Sequence, residues 1–147
     1  MDQHQGFLHH ADSLAGLSIL VVDDEPVIRT VLGRSLQREG IRVTTAENGV
    51  EALEKIRDGC FDIVISDILM PLMDGLELLV QVKTEYPDLP VILITGASGQ
   101  FSGKQVLEAG AEDFIIKPFR NQDIRYSLLR VKSLIEKNRK KNAGKSK

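Results

Sequence analysis

Apolar positions along the chain alternate between runs of strand length and stretches with helical spacing. Four runs read as strands: Ser18 to Val22 (SILVV), Ile63 to Ser66 (IVIS), Pro90 to Thr95 (PVILIT) and Asp113 to Ile116 (DFII). The first three are nearly continuous, which predicts strands buried on both faces, as in the middle of a parallel sheet. A fifth segment, Ile41 to Ala46 (IRVTTA), alternates Ile41, Val43 and Thr45 with polar neighbours and reads as an edge strand.

Helical spacing fills the gaps. The first stretch opens at Pro26, a residue suited to a first helical turn, carries Ile28, Val31, Leu32, Ser35 and Leu36, and stops at Gly40. Ala52, Leu53 and Ile56 form a second stripe. Leu76, Leu79, Val80 and Val82 follow the turn at Asp74-Gly75, and a weaker segment lies around Gln105 to Ala109. In the last, long segment Ile124, Leu128, Val131 and Ile135 stand at i, i+4, i+7 and i+11, so it should dock along one stripe. Five strand–helix alternations predict an α/β fold, an open parallel sheet with helices on both faces.

The 147-residue length suits one domain with a substantial core, and 42% hydrophobic with 27% charged residues is the balance of a globular protein. No apolar run approaches the roughly 20 residues that span a bilayer, and MDQHQ does not open a signal peptide, so a cytoplasmic location without a membrane partner is expected. Cys60 is alone and reads as a small buried hydrophobe. His4, His9 and His10 lie in an expected flexible tail, residues 1–16. A second loose, basic tail is expected over 139–147.

Candidate chemistry collects at strand ends. Asp23 and Asp24 follow the first strand, Asp67 the third, Thr95 ends the fourth, and Lys117 follows the fifth. Open α/β sheets bind ligands at the carboxyl ends of their strands, so these distant residues can converge. Taken singly, an acidic residue after a strand is often a helix cap, and a threonine there a turn former. Taken together they describe a pocket. Three close carboxylates must hold a cation or raise a pKa, and Mg2+ (or Mn2+) suits oxygen ligands shared with phosphate. A lysine, a hydroxyl and a metal are what a transferring phosphoryl group needs around its oxygens, and a carboxylate can serve as its nucleophile.

VVDDEP at 21–26, SDILMPLMDG at 66–75, ILITG at 92–96 and IIKPF at 115–119 resemble the receiver domains of two-component response regulators, in order and at family spacing. The resemblance implies a flavodoxin-like three-layer sandwich whose five-stranded parallel sheet has the order 2-1-3-4-5 with five helices; that order is the known one for receivers and comes from the resemblance alone. It implies a receiver over 17–138, with Asp67 the phosphoacceptor. Asp24 would be a direct metal ligand, Asp23 one through water, and Leu69 one through its backbone carbonyl. Thr95 would hydrogen-bond the phosphoryl group, Lys117 would pair with it before a cis peptide to Pro118, and Phe114 would be the switch aromatic.

The implied protein is a signalling phosphoacceptor, catalysing only its own phosphorylation and slow autodephosphorylation. Its partners would be a sensor histidine kinase or phosphotransfer protein, a downstream effector, and a second copy through the helix 4–strand 5–helix 5 face. Leu69 and Ala97, two residues after the acceptor and the threonine, are apolar, so neither positions an attacking water and a long-lived phosphorylated form is expected. The glycine-rich GASGQFSG after Thr95 predicts a short or mobile fourth helix.

Two other readings stand beside it. A metal-dependent phosphohydrolase with an aspartyl-phosphate intermediate would also use the carboxylates and lysine. Charge raises a nucleic-acid partner: residues 1–119 hold nine basic and nineteen acidic residues, net −10, and the remainder ten and two, net +8. Cations near a helix C-terminus also complement its dipole, and aromatic partners and a reading helix are missing, which argues against nucleic acid for this chain alone.

Overall fold

A computed structural model of the chain describes residues 13–96 and 101–145. Five strands, β1 (Ser18–Val22), β2 (Arg42–Ala46), β3 (Ile63–Asp67), β4 (Val91–Thr95) and β5 (Asp113–Ile116), alternate with helices α1 (Pro26–Gln37), α2 (Gly49–Asp58), α3 (Gly75–Glu85), α4 (Gly103–Glu108) and α5 (Asn121–Lys145). The sheet is parallel throughout, in the order β2-β1-β3-β4-β5. The alternating IRVTTA segment forms an edge, as its pattern predicts.

The continuous apolar runs serve two cores at once, because successive strand side chains point to opposite faces. Leu20, Val22, Val64, Val91 and Leu93 pack with α2, α3 and α4. Ile19, Val21, Ile63, Ile65, Ile92 and Ile94 pack with α1 and α5, where Ile124, Leu128 and Val131 are buried and Ile135 lies against them. Each fully buried Leu or Ile contributes about 1.5–3 kcal/mol of transfer free energy.

Helix starts follow capping chemistry. Asn48 caps α2 by accepting from Glu51 N. Asp74 with Glu77, and Ser102 with Gln105, form capping boxes at α3 and α4. Pro26 stands at the start of α1, whose cap residue Glu25 makes no side-chain capping bond.

Several expectations are revised. Val31 and Val80 are exposed; in α1 the expected Leu32 and Leu36 are buried together with Gly33, and in α3 Leu78 joins the expected Leu79 and Val82. Gly33 faces β2, where a Cβ would make only an ordinary contact, 3.6 Å from Val43 Cγ1. Cys60 is exposed, because it sits after Gly59 in the turn between α2 and β3 rather than on a packed face. The chain is already anchored before residue 17: Leu14 is buried, Gly16 N donates to Gly40 O, and Lys132 Nζ donates to Ser13 O. At the other end α5 continues through 139–145, a polar stretch with no proline and no glycine before Gly144 to stop it. His4, His9, His10 and Ala97 lie outside the described residues. No helix among the described residues is long and apolar enough to cross a membrane.

Candidate functional site

Parallel register brings the strand ends to one edge. Val22 pairs with Ser66, Asp67 with Ile94, and Thr95 with Ile116. Residues just beyond those pairs therefore meet. Lys117 N donates to Thr95 O and Asp23 N to Ala46 O, which fixes the backbone on both sides of the acceptor strand.

Asp67, 6% exposed at the end of β3, accepts a hydrogen bond from Lys117 Nζ at 3.0 Å. The same ammonium lies 3.9 Å from Asp23 Oδ2 and 4.0 Å from Glu25 Oε1. Burial alone would lower the lysine pKa, but the hydrogen bond and charge of Asp67, with Asp23 and Glu25 behind it, raise it above the ordinary lysine value. Lys117–Pro118 is a cis peptide.

Asp23 is 1% exposed. Its Oδ1 accepts from Glu25 N, while Oδ2 is buried and has no hydrogen-bond partner. Burial pushes its carboxyl up to about 6, against the lowering effect of the Glu25 amide and with a further push from the charge of Asp67. A buried carboxylate oxygen without a donor, facing other carboxylates, is the environment a cation relieves. Among the described residues, Asp23, Asp24, Glu25 and Asp67 each place a carboxylate oxygen so that all lie within 4.8 Å of one another. An all-oxygen donor set of this kind fits a hard divalent cation.

Glu25 is not among the site residues the sequence predicts. The DDE run of VVDDEP carries the signal for it, but not the direction of its side chain.

Glycines hold the loop after β3. A Cβ on Gly75 would lie 2.3 Å from Asp67 O and 2.7 Å from Ile68 Cα, so α3 begins hard against the acceptor strand. Gly75 N donates to Ile68 O, and Leu72 takes the turn with φ 69°. Leu69, in the same loop, is 54% exposed.

Thr95 is buried, and its hydroxyl donates to Gly96 O rather than to Asp67. Phe114 is half-buried against the α2–α3–α4 core. Its ring occupies the space a side chain on Gly103 would take, with Cζ 2.1 Å from an ideal Cβ there. The first residue of the short α4 is thus shaped to seat that ring.

The family model of the response regulator receiver domain matches residues 19–129. The chain belongs to that family. Membership supports the phosphoacceptor signalling reading and lends no support to the phosphohydrolase one. The receiver is similar to transcriptional regulatory protein ZraR of Klebsiella oxytoca, 44% identical over 102 residues, which cover 69% of this chain and 23% of the relative. It is similar also to transcriptional regulatory protein ResD of Bacillus subtilis, 39% identical over 119 residues, 81% of this chain and 48% of the relative. This receiver thus spans half or less of those curated relatives. Among solved structures, a response regulator receiver domain protein from Clostridium thermocellum superposes with a TM-score of 0.76 at 31% identity, covering 86% of this chain and 98% of that one. Response regulator protein TrrA from Thermotoga maritima, in complex with Mg(2+)-BeF, gives 0.72 at 38% identity, covering 78% and 98%.

Proposed function

We propose that Asp67 is the phosphoacceptor and that Lys117, Thr95 and the carboxylates of Asp23 and Asp24 serve its reaction. The observation that carries this is the ion pair between Lys117 and a nearly buried Asp67 at the centre of a cluster of carboxylates. Asp24 and Asp67 would hold Mg2+ directly, Asp23 through water, and Leu69 through its carbonyl oxygen. When bound, the metal neutralises the carboxylates and the charge developing on the phosphoryl oxygens.

The chain's own groups do the rest. A carboxylate oxygen of Asp67 forms a bond to phosphorus as the bond from phosphorus to the donor imidazole nitrogen breaks, leaving an acyl phosphate. The freed imidazole takes a proton from solvent. Lys117, already 3.0 Å from the carboxylate, supplies a positive charge for the arriving oxygens. Thr95 turns its hydroxyl from Gly96 O towards the new phosphoryl group. Phe114 follows it, repacking the α4–β5–α5 face, where Leu107, Ile116 and Tyr126 are exposed to a partner. Water attack on the acyl phosphate returns the starting state.

The donor is a phosphohistidine on a kinase or phosphotransfer protein, and the reader is an effector or a second copy. The reaction belongs to the cytoplasm, where such donors are made. Mg2+-dependent labelling of wild type and Asp67→Asn by a small phosphodonor tests the reading; labelling that survives the substitution rejects it.

A further inference from the structure

We infer that Glu25 is a charge gate at the mouth of this pocket, strengthening the binding of the divalent cation and opposing the approach of anionic phosphodonors. The inference rests on the reading of the carboxylate cluster as the metal site, but it concerns a residue outside the ligand set named above.

Three observations point to it. Glu25 occupies the cap position of α1 and makes no side-chain capping bond, whereas Asn48, Asp74 and Ser102 at the caps of α2, α3 and α4 each bind their own helix. Its carboxylate is therefore not engaged by the helix it starts. Its backbone is held, because Glu25 N donates to Asp23 Oδ1 and Pro26 restricts what precedes it. So held, the side chain lies over the pocket, with Oε1 4.0 Å from Lys117 Nζ and an oxygen within 4.8 Å of those of Asp23, Asp24 and Asp67.

The environment separates this charge from its neighbours. Asp23 and Asp67 are buried, while Glu25, its side chain 61% exposed, stands with Asp24 at the open side of the pocket, where an incoming ion passes. A hydrated cation is drawn in by it. A small dianionic donor is repelled, whereas a protein donor, docking over a wide surface, can offset the same repulsion with contacts elsewhere. Glu25 thus favours metal loading first and discriminates against free phosphorylated metabolites as donors. It acts as a positioning and selecting residue, since it touches no reacting atom.

Coulomb's law sets the scale. A unit charge about 6 Å from a divalent cation changes its affinity by roughly five- to tenfold in water at low ionic strength, and that of a monoanion by about two- to threefold in the opposite sense. Opposite signs distinguish a charge gate from a structural prop, whose loss weakens both.

Calorimetric titration of the whole chain with MgCl2, and then with beryllofluoride at saturating Mg2+, tests this in about 10 mM salt. Glu25→Gln is expected to weaken Mg2+ by about five- to tenfold and to tighten beryllofluoride by about two- to threefold. Both effects should shrink at about 0.5 M salt, where the Debye length falls to a few ångströms. Glu25→Asp, which keeps the charge, should stay close to wild type. Unchanged affinities in Glu25→Gln, or affinities that move in the same direction, overturn the gate while leaving the metal site intact. Wild type that takes up no Mg2+ at all overturns the reading of the cluster itself.

Discussion

Lys117 Nζ donates to Asp67 Oδ2 at 3.0 Å, joining the residue after β5 to the last residue of β3 across the intervening strand β4. With the lysine side chain 25% exposed and the aspartate 7%, this is a partly desolvated, charge-assisted bond. It also offsets the repulsion among the carboxylates around it. Lys117→Ala should therefore lower unfolding free energy in metal-free buffer by about 2 kcal/mol. Added Mg2+ should recover more stability in the variant than in wild type, which urea titrations with and without the ion measure. Equal recovery in both proteins would argue against a shared carboxylate cluster.

The Asp23 carboxyl gives a pH dependence with a definite sign. Its folded pKa is raised by burial from 3.8 to about 6, so the protonated form is the one the fold favours. In metal-free protein this contribution is complete below pH 3.8 and is lost as pH rises through 6. Asp23→Asn keeps a neutral side chain throughout. Its stability relative to wild type should grow from near zero at pH 4 to about 2–3 kcal/mol at pH 7.5 in chelator. A difference that does not vary with pH would contradict the raised carboxyl.

Gly75 tests how the acceptor is held. A Cβ there meets backbone atoms, Asp67 O at 2.3 Å and Ile68 Cα at 2.7 Å, and backbone does not yield as a flexible side chain does. Gly75→Ala should destabilise the protein by about 2–3 kcal/mol and displace Asp67 from Lys117. Denaturation and phosphorylation rate, measured on the same preparation, should both fall; a variant as stable and as reactive as wild type would exclude the close approach.

Leu69 bears on the lifetime of the phosphorylated form. Its side chain is apolar and 54% exposed beside the acceptor, where it cannot orient a water by hydrogen bonding. Leu69→Asn adds a donor and an acceptor there, and the acyl phosphate should hydrolyse several-fold faster, less than the roughly hundredfold or more of a full general acid–base group because an amide orients the water without taking its proton. Decay of label after removal of the phosphodonor measures it. A rate unchanged or slowed would mean that Leu69 does not set that lifetime.

The strand-end residues can be read from sequence because each directly follows or closes an apolar run, as Asp23 follows SILVV and Thr95 closes PVILIT, and parallel pairing then leaves little freedom in where they end. Helix faces are harder. Val31 and Val80 satisfy helical spacing as Leu32 and Leu79 do, yet they are exposed and burial goes also to Gly33 and Leu78, because the angle at which a helix meets the sheet is a tertiary property. Leu14 reads as tail because its segment's anchors, Gly40 and Lys132, are distant in sequence. Glu25 is hidden for the same reason: its neighbour Lys117 follows another strand, and only the fold shows where an uncapped side chain turns.

The most direct test is stoichiometric labelling with radioactive acetyl phosphate, in Mg2+ and in chelator, for wild type and Asp67→Asn. The expected result is about one acid-stable, hydroxylamine-sensitive phosphoryl group per wild-type chain in Mg2+ and none in chelator or in Asp67→Asn, as one aspartyl phosphate requires. Equal labelling of the two proteins would contradict the assignment of Asp67.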